Sequence, residues 1–174
     1  MSMRLIWGSS FDRVRSASTP VIFAIIPHGV APLGITAYPA FSRLGGGALC
    51  RWTAAPIVLR LPLVGPMLKS MGYVDAKGKA ISGALAAGSS VGIVLDGIAG
   101  MFQAAAHVEK GIVLQRKAIA AIALKSGCPI VPVYGFGHTS LWTVFTDPFG
   151  VLERLSVALN ISICPFYGRW GLPL

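Results

Sequence analysis

Residues 21–29 read Val-Ile-Phe-Ala-Ile-Ile-Pro-His-Gly, and this stretch sets the expectation for the fold. Residues 21–26 form an apolar run rich in β-branched side chains, which Pro27 ends. Because six residues are few for a helix, the composition favours a buried strand. His28 then stands between Pro27 and Gly29, in a turn that would present its imidazole at the end of that strand.

Short apolar runs recur along the chain and alternate with segments of helical spacing. The further strands are expected within residues 48–59, at 91–95, at 130–136 and near Ile161. The helices are expected at residues 32–44, 62–71, 77–87, 111–126 and near Leu152. This alternation predicts an α/β fold, with a mainly parallel sheet flanked by helices and with its chemistry at the strand ends. Since no repeat or low-complexity linker divides the chain, a single domain is expected over residues 1–174.

The composition is unusually apolar. Hydrophobic residues make up 54% of the 174 residues and charged residues 12%, about half the charged share of typical soluble domains. The longest stretch without a charged residue, 16–42, contains four prolines, which argue against one continuous membrane-spanning helix. We therefore expect the chain to lie on a membrane surface.

The charge is strongly basic, with 15 Lys and Arg against 6 Asp and Glu and a formal net charge of +9. Each basic residue near an anionic surface adds about 1 kcal/mol of attraction, and the same charge suits a phosphate-rich ligand. The basic residues are scattered and no nucleic-acid motif is present, so nucleic acid is not expected as a partner.

No metal site is expected from the histidines and cysteines. Cys50, Cys128 and Cys164 are odd in number and widely spaced, which predicts buried free thiols. His107 and His138 also lack metal-ligand spacing. His107 is expected at the surface, whereas His138 follows a predicted strand and could line a site there.

His28 is the first candidate for chemistry. An imidazole at a strand end can accept the proton of a substrate hydroxyl, a role worth about 10² to 10⁴ in rate. The alternative is a histidine that caps a loop through one hydrogen bond.

Four segments together resemble the type 2 diacylglycerol acyltransferase family, which also contains monoacylglycerol and wax-ester acyltransferases. Residues 27–34 read Pro-His-Gly-Val-Ala-Pro-Leu-Gly, similar to the family's Pro-His turn and the Pro-containing stretch after it. Residues 114–117, Leu-Gln-Arg-Lys, and 127–137, Gly-Cys-Pro-Ile-Val-Pro-Val-Tyr-Gly-Phe-Gly, resemble its basic helix, strand and Phe-Gly. Residues 165–174, Pro-Phe-Tyr-Gly-Arg-Trp-Gly-Leu-Pro-Leu, resemble a further family signature. These segments are distributed over most of the chain, from residue 27 to residue 174.

The resemblance implies an acyl-CoA-dependent O-acyltransferase that esterifies a neutral lipid hydroxyl, converting diacylglycerol to triacylglycerol. Acyl-CoA would be a co-substrate, with no cofactor, at the cytosolic face of the endoplasmic reticulum membrane or on lipid droplets. The oligomeric state is left open. The candidate residues are His28 and Asp96 for catalysis, Gly29 and Gly97 as backbone oxyanion donors, Arg116 and Lys117 for acyl-CoA, and Pro27 and His138 as pocket lining.

Several candidates keep a second interpretation. Asp96 is expected to orient His28, or only to cap the turn before Gly97. Arg116 and Lys117 are expected to bind the phosphates of coenzyme A, or to form a solvated or lipid-facing charged pair.

The chain also departs from the family pattern. Where the family carries Gly-Gly-x-x-Glu after a strand, residues 96–100 read Asp-Gly-Ile-Ala-Gly, so the glutamate is missing at Gly100. The wider glycerolipid acyltransferases place an Asp five residues after the catalytic His, where this chain has Leu33. Ala118 and Ala121 replace a Gly and a basic residue of the helix.

The family's N-terminal membrane hairpin and its C-terminal portion have no counterpart in these 174 residues. The resemblance is therefore to a central segment, and the expected fold is an incomplete version of the glycerolipid-acyltransferase fold. Together with the missing glutamate, this leaves an alternative: a catalytically impaired or truncated lipid-surface relative.

Overall fold

The computed structural model of the protein describes residues 6, 8, 19–27, 29–30, 50–102, 117–140, 142–145, 147–159 and 162–168. His28, Arg116, the helix predicted over residues 32–44 and the first part of the helix predicted over 111–126 lie outside these residues. Among the described helices, none has the length and apolar character needed to cross a bilayer.

The described elements follow the predicted alternation closely. The strands are β1 (Ile22–Ile26), β2 (Cys50–Ala54), β3 (Val74–Asp75), β4 (Ser90–Val94), β5 (Ile130–Tyr134), β6 (Thr143–Val144) and β7 (Phe166–Tyr167). The α-helices are α1 (Val64–Ser70), α2 (Gly78–Ala86), α3 (Gly97–Phe102), α4 (Lys117–Ser126) and α5 (Val151–Leu159). Two 3-10 turns cover Val58–Arg60 and His138–Ser140.

Within the described residues, β1 to β5 form one sheet with the order β3-β2-β4-β1-β5. β2 runs parallel to both β3 and β4. The backbone hydrogen bonds from Val91 to Val21 and from Leu95 to Ile25 advance together along β4 and β1, as they do in a parallel pair. The predicted mainly parallel α/β fold is therefore confirmed.

The position of each strand in the sheet agrees with its sequence. β1 has a strand on either side and is apolar throughout, and its residues Ile22, Phe23 and Ile25 are fully buried. β5 ends the strand order, and its side chains alternate between exposed and half-buried. Pro132 fits this edge position because proline has no N–H to donate to a second neighbour.

The chain divides into two compact units. Unit 1 comprises Met1–Ala24, Leu33–Ile93 and Arg116–Pro132, and unit 2 comprises Ile25–Pro32, Val94–Gln115 and Val133–Leu174. The single domain expected over residues 1–174 stays a prediction.

Unit 1 is held together by an apolar core in which α2 packs against α4. Ile119 and Ile122 of α4 pack against this core from its margin. The buried members of the core are Ile22, Ile81, Ala84, Leu85, Val91, Ile93, Ala123 and Cys128. α2 and α4 thus present their buried sides to the same strands, as their apolar spacing predicts.

The three cysteines are free and buried, as predicted. Burial raises the pKa of the Cys50 thiol to about 12, against the opposing effect of a hydrogen bond with the backbone of Gly92. Burial also raises the pKa of Cys128 and of Cys164. At neutral pH these thiols are protonated and are poor nucleophiles.

In unit 2, β6 and β7 pair in antiparallel fashion. Two aromatic pairs flank them: Trp142 lies edge-on to Phe166 with ring centroids 5.8 Å apart, and Phe145 lies against Tyr167 at 5.3 Å. Ile161, near which a strand is predicted, lies outside the described residues, and β7 follows it at Phe166–Tyr167. Residues 162–165 form no strand.

One close approach in unit 1 gives a test of the fold. Gly92 stands opposite Trp52 in the β2–β4 register, and a Cβ added to Gly92 would lie 3.2 Å from Cδ2 of the indole and closer still to Cε3 and Cζ3. We expect Gly92→Ala to lower the free energy of unfolding by about 1–3 kcal/mol, because the buried indole must shift. Denaturant unfolding of the variant and the unaltered chain would measure this loss of stability.

Gly83→Ala is the matched control. Gly83 lies in α2 with no atom within 4 Å of an added Cβ. Alanine there should raise the stability by about 0.5–1 kcal/mol, because it favours the helix. Equal stability of the two variants would show that the contact with Trp52 is not tight.

Candidate functional site

The candidate site lies in unit 2, where three neighbouring strands end. Leu95, just after β4, donates a backbone hydrogen bond of 3.1 Å to the carbonyl of Ile25. On the other side of β1, the N–H of Gly135 donates to the carbonyl of Ile26 over 2.9 Å. The residues that follow these bonds therefore leave the sheet side by side, at the edge where α/β folds bind their ligands.

The Pro27-His28-Gly29 turn follows β1 directly. Pro27 is fully buried, and Gly29 is buried with a φ of 62°. A Cβ on Gly29 would lie 2.5 Å from the carbonyl oxygen of His138, so both the backbone angle and the space require glycine. His28 itself lies outside the described residues, and the residues on either side of it fix where the chain enters and leaves the turn.

His138 lies against this turn from the β5 side. It opens the 3-10 turn His138–Ser140 and is only 5% exposed. Its Nδ1 lies 3.3 Å from the carbonyl oxygen of Pro27. Because a carbonyl only accepts, this hydrogen bond requires the proton on Nδ1.

The His138 ring also lies against the backbone of Gly135. A Cβ added to Gly135 would lie 2.6 Å from Cε1 of the imidazole. His138 thus contacts the turn through its ring and through its backbone carbonyl. The sequence predicted it only as possible pocket lining, because residues 27 and 138 are 111 positions apart.

Asp96 follows β4 and is 0% exposed. Its carbonyl accepts the N–H of Gly100 over 3.2 Å, which places Asp96 at the N-cap of α3. A Cβ added to Gly100 would lie 2.5 Å from Cγ of Asp96. The Asp96 carboxyl group therefore fills the space that a side chain at position 100 would need.

The remaining predicted residues divide between the units. Gly97, the first residue of α3 in unit 2, has a φ of 55°. Lys117 is exposed and begins α4 in unit 1, while its neighbour Arg116 lies outside the described residues. Among the described candidates, unit 2 thus holds Asp96, Gly29, Gly97, Pro27 and His138, and unit 1 holds Lys117.

Thr139 was missed by the sequence analysis. It is 2% exposed, and its Oγ1 is buried without a hydrogen-bond partner in the described part of the chain. A buried hydroxyl left in this state costs about 1–3 kcal/mol, so such a group is a candidate to bind a substrate oxygen or a water molecule. Its Cα would lie 3.5 Å from a Cβ on Gly29. No signal marks it in the sequence, since Thr-Ser after a strand reads as an ordinary loop.

The chemistry available at these strand ends is proton transfer and hydrogen bonding. Asp96 supplies a carboxylate, His138 an imidazole and Thr139 a hydroxyl, around a turn that carries a second histidine. Such groups accept protons and orient one another. In the described part of the chain, no three His, Cys, Asp or Glu side chains are grouped as metal ligands.

Comparison with known proteins agrees with the motifs. Residues 15–172 match the family model described as diacylglycerol acyltransferase. The chain is 30% identical to 2-acylglycerol O-acyltransferase 1 of Bos taurus over 161 residues, 85% of this chain and 48% of that protein. It is 28% identical to diacylglycerol O-acyltransferase 2-like protein 6 of Bos taurus over 173 residues, 86% of this chain and 51% of that protein. It is 24% identical to acyl-CoA wax alcohol acyltransferase 1 of Mus musculus over 166 residues, 88% of this chain and 51% of that protein.

The chain spans about half the length of the curated relatives it matches. No solved structure matches it. The family model nevertheless covers nearly the whole sequence, from the residues before β1 to the signature after β7. On that match, the chain belongs to the diacylglycerol acyltransferase family.

Proposed function

We propose that the chain carries the catalytic centre of an acyl-CoA-dependent O-acyltransferase that esterifies the hydroxyl of a neutral lipid. The observation that carries the proposal is the Pro27–Gly29 turn, which leaves the sheet between Asp96 and His138 and holds His28. Family membership supports the reaction class.

His28 acts as the general base in this proposal. Its imidazole takes the proton of the acceptor hydroxyl as that oxygen attacks the thioester carbonyl of acyl-CoA. The carbon–sulfur bond then breaks, and the thiolate of coenzyme A takes the proton back from His28. The products are an ester and free coenzyme A.

Backbone N–H groups are proposed to stabilise the negative charge on the thioester oxygen. Gly29 and Gly97 each follow a strand end and adopt a positive φ, which turns the chain away from the sheet. Fixed donors of this kind are worth most where water is excluded. Arg116 and Lys117 are proposed to bind the phosphates of coenzyme A, because Arg offers a fork of donors and Lys a compact charge.

Diacylglycerol is the proposed acceptor, with triacylglycerol as the product. The names of the relatives include a 2-acylglycerol and a wax alcohol as well as diacylglycerol, and all three acceptors offer one hydroxyl on an apolar body. The apolar composition supports a membrane surface as the place of reaction, and by resemblance we propose the cytosolic face of the endoplasmic reticulum membrane or the lipid droplet.

The first test replaces His28. We expect His28→Ala to lower the transfer of labelled acyl groups to diacylglycerol by about 10² to 10⁴ in microsomes that contain the expressed protein, because the general base is lost. Assays with 2-acylglycerol and fatty alcohol in place of diacylglycerol would identify the acceptor.

His107→Ala is the matched control, since His107 is expected at the surface and should be dispensable. Turnover that survives His28→Ala would remove His28 from the mechanism. A wild-type chain that binds lipid but transfers no acyl group to any of the three acceptors would establish the impaired relative instead.

Asp96 is proposed as the residue that positions His28, in place of the missing glutamate. The family has glycine and glutamate at the first and last places of Gly-Gly-x-x-Glu, whereas this chain has Asp96 and Gly100. The structure supports an exchange, because the Asp96 carboxyl group occupies the space beside Gly100. An acidic group is thus kept in this space, one helical turn earlier in the chain.

We expect Asp96→Asn to lower kcat and to shift the acidic limb of the pH profile of kcat/KM, where His28 loses its proton, to lower pH. A neighbouring carboxylate favours the charged imidazole, so its removal lowers the pKa of the histidine. If only stability falls and the pH profile is unchanged, Asp96 serves as the cap of α3.

The proposed exchange of the acidic residue between positions 100 and 96 can be reversed by mutation. Gly100→Glu alone should destabilise the chain, because its Cβ would collide with the Asp96 carboxyl group. Combining Gly100→Glu with Asp96→Gly should recover both stability and activity. A double variant no better than the single one would contradict the exchange.

His138 is proposed to hold the catalytic turn in place through its hydrogen bond to Pro27. His138→Leu should lower kcat by about 10- to 100-fold and leave the KM for acyl-CoA unchanged, because a misplaced turn costs orientation rather than binding. His138→Asn should recover most of the activity, since its amide nitrogen takes the place of Nδ1 as the donor.

Steady-state kinetics and thermal unfolding of the two variants would show whether His138 positions the turn or only contributes packing. If Asn and Leu are equally impaired and lose the same stability, His138 contributes packing alone.

A further inference from the structure

We propose that one face of unit 1 docks on an anionic lipid surface. This docking face is built by the turn after Leu59 and by α1. Its members are the exposed apolar side chains of Leu61, Leu63, Val64, Met67 and Met71. The proposal rests on the membrane surface proposed above as the place of reaction and names the part of the chain that contacts it, and it does not depend on the catalytic residues.

The docking face is continuous along α1. Val64, Met67 and Met71 stand three and four residues apart, so they share one side of the helix. All three are exposed, although an α-helix of a water-soluble protein normally turns such residues to its core. Contiguous apolar patches of this kind mark sites that another surface covers.

Leu63 is the most informative residue of the docking face. Its φ of 67° lies in the left-handed region, which is energetically unfavourable for a residue with a bulky side chain. The leucine side chain is 87% exposed. The N–H of Val64 donates to the carbonyl of Pro62 over 2.8 Å, which closes a tight turn centred on Leu63 and holds it in this conformation. The turn thus presents an apolar side chain to the outside of the protein, where another surface can cover it.

The docking face is also rigid. Gly65 approaches the backbone of Leu59 so closely that an added Cβ would lie 2.7 Å from the carbonyl carbon. The N–H groups of Gly65 and Met67 donate to the carbonyls of Leu61 and Leu63 over 2.9 and 3.2 Å. The backbone that carries the apolar side chains is therefore already held in place, and little ordering of the backbone is needed on binding.

The charge around the docking face indicates a lipid surface as the partner. Arg60, next to Leu61, is exposed and forms no ion pair within the described residues, whereas Lys69 stands on the opposite side of α1 from Val64 and Met67. The sequence has no acidic residue between Asp12 and Asp75. Apolar side chains beside an unpaired cation fit a bilayer boundary, where the apolar groups enter the acyl region and the cation stays at anionic headgroups.

The test measures binding to vesicles by flotation. The full chain should bind vesicles of phosphatidylcholine with phosphatidylserine. Combining Leu63→Glu with Met67→Glu should weaken partitioning onto these vesicles by about 10- to 100-fold or more, since burial of a single apolar side chain already accounts for such a ratio. Leu124→Glu is the matched control, because Leu124 is an 85% exposed leucine of α4 outside the docking face. It should bind like the unaltered chain.

A second pair of variants separates charge from apolar contact. Arg60→Gln should weaken binding to vesicles with phosphatidylserine and leave binding to phosphatidylcholine alone unchanged. Lys69→Gln, on the opposite side of α1, removes the same charge and should bind like the unaltered chain, with thermal unfolding checked for each variant. Equal partitioning of the Leu63/Met67 variant and the Leu124 variant would overturn the proposal. So would a change in oligomeric state without a change in vesicle binding, which would make the docking face a contact between protein chains.

Discussion

The candidate site depends on two backbone hydrogen bonds at the carboxyl end of β1. One joins Leu95 to Ile25 and the other joins Gly135 to Ile26, so β4 and β5 stay paired with β1 up to its last residues. The chain leaves all three strands at the same edge. Without this pairing, neither Asp96 nor His138 would stand beside the turn that holds His28, because 68 and 110 positions of sequence separate them from it.

Space at this edge is limited, and several small residues there have a steric cause. Gly29 adjoins the His138 carbonyl, Gly135 adjoins its ring, and Gly100 adjoins Asp96. Each glycine makes room for one larger polar side chain or backbone group of a neighbour. The polar groups of the site and the glycines around them therefore constrain each other, and a change in one is tolerated only with a change in the other.

Much of this arrangement could be predicted from the sequence. The apolar runs located β1, β4 and β5, and the helical spacing located α1 and α2, because these elements bury enough side chains to leave a periodic pattern. β3 was missed, since two residues leave no pattern, and α3 was missed because two glycines interrupt it. His138 was identified as a candidate, but its contact with Pro27 depends on strand order, which periodicity does not encode. Thr139 could be recognised only from its burial.

The Asp96–Gly100 pair has a consequence for how distant relatives are identified. A sequence pattern records the place of a residue along the chain, whereas a proton is attracted by a charge at a point in space. One turn of helix advances the chain by about 5.4 Å, so an acid encoded at one end of the turn can be exchanged for an acid encoded at the other. A relative in which the acidic residue has moved in this way fails to match a fixed sequence pattern. It nevertheless keeps a negative charge at the same place in the site.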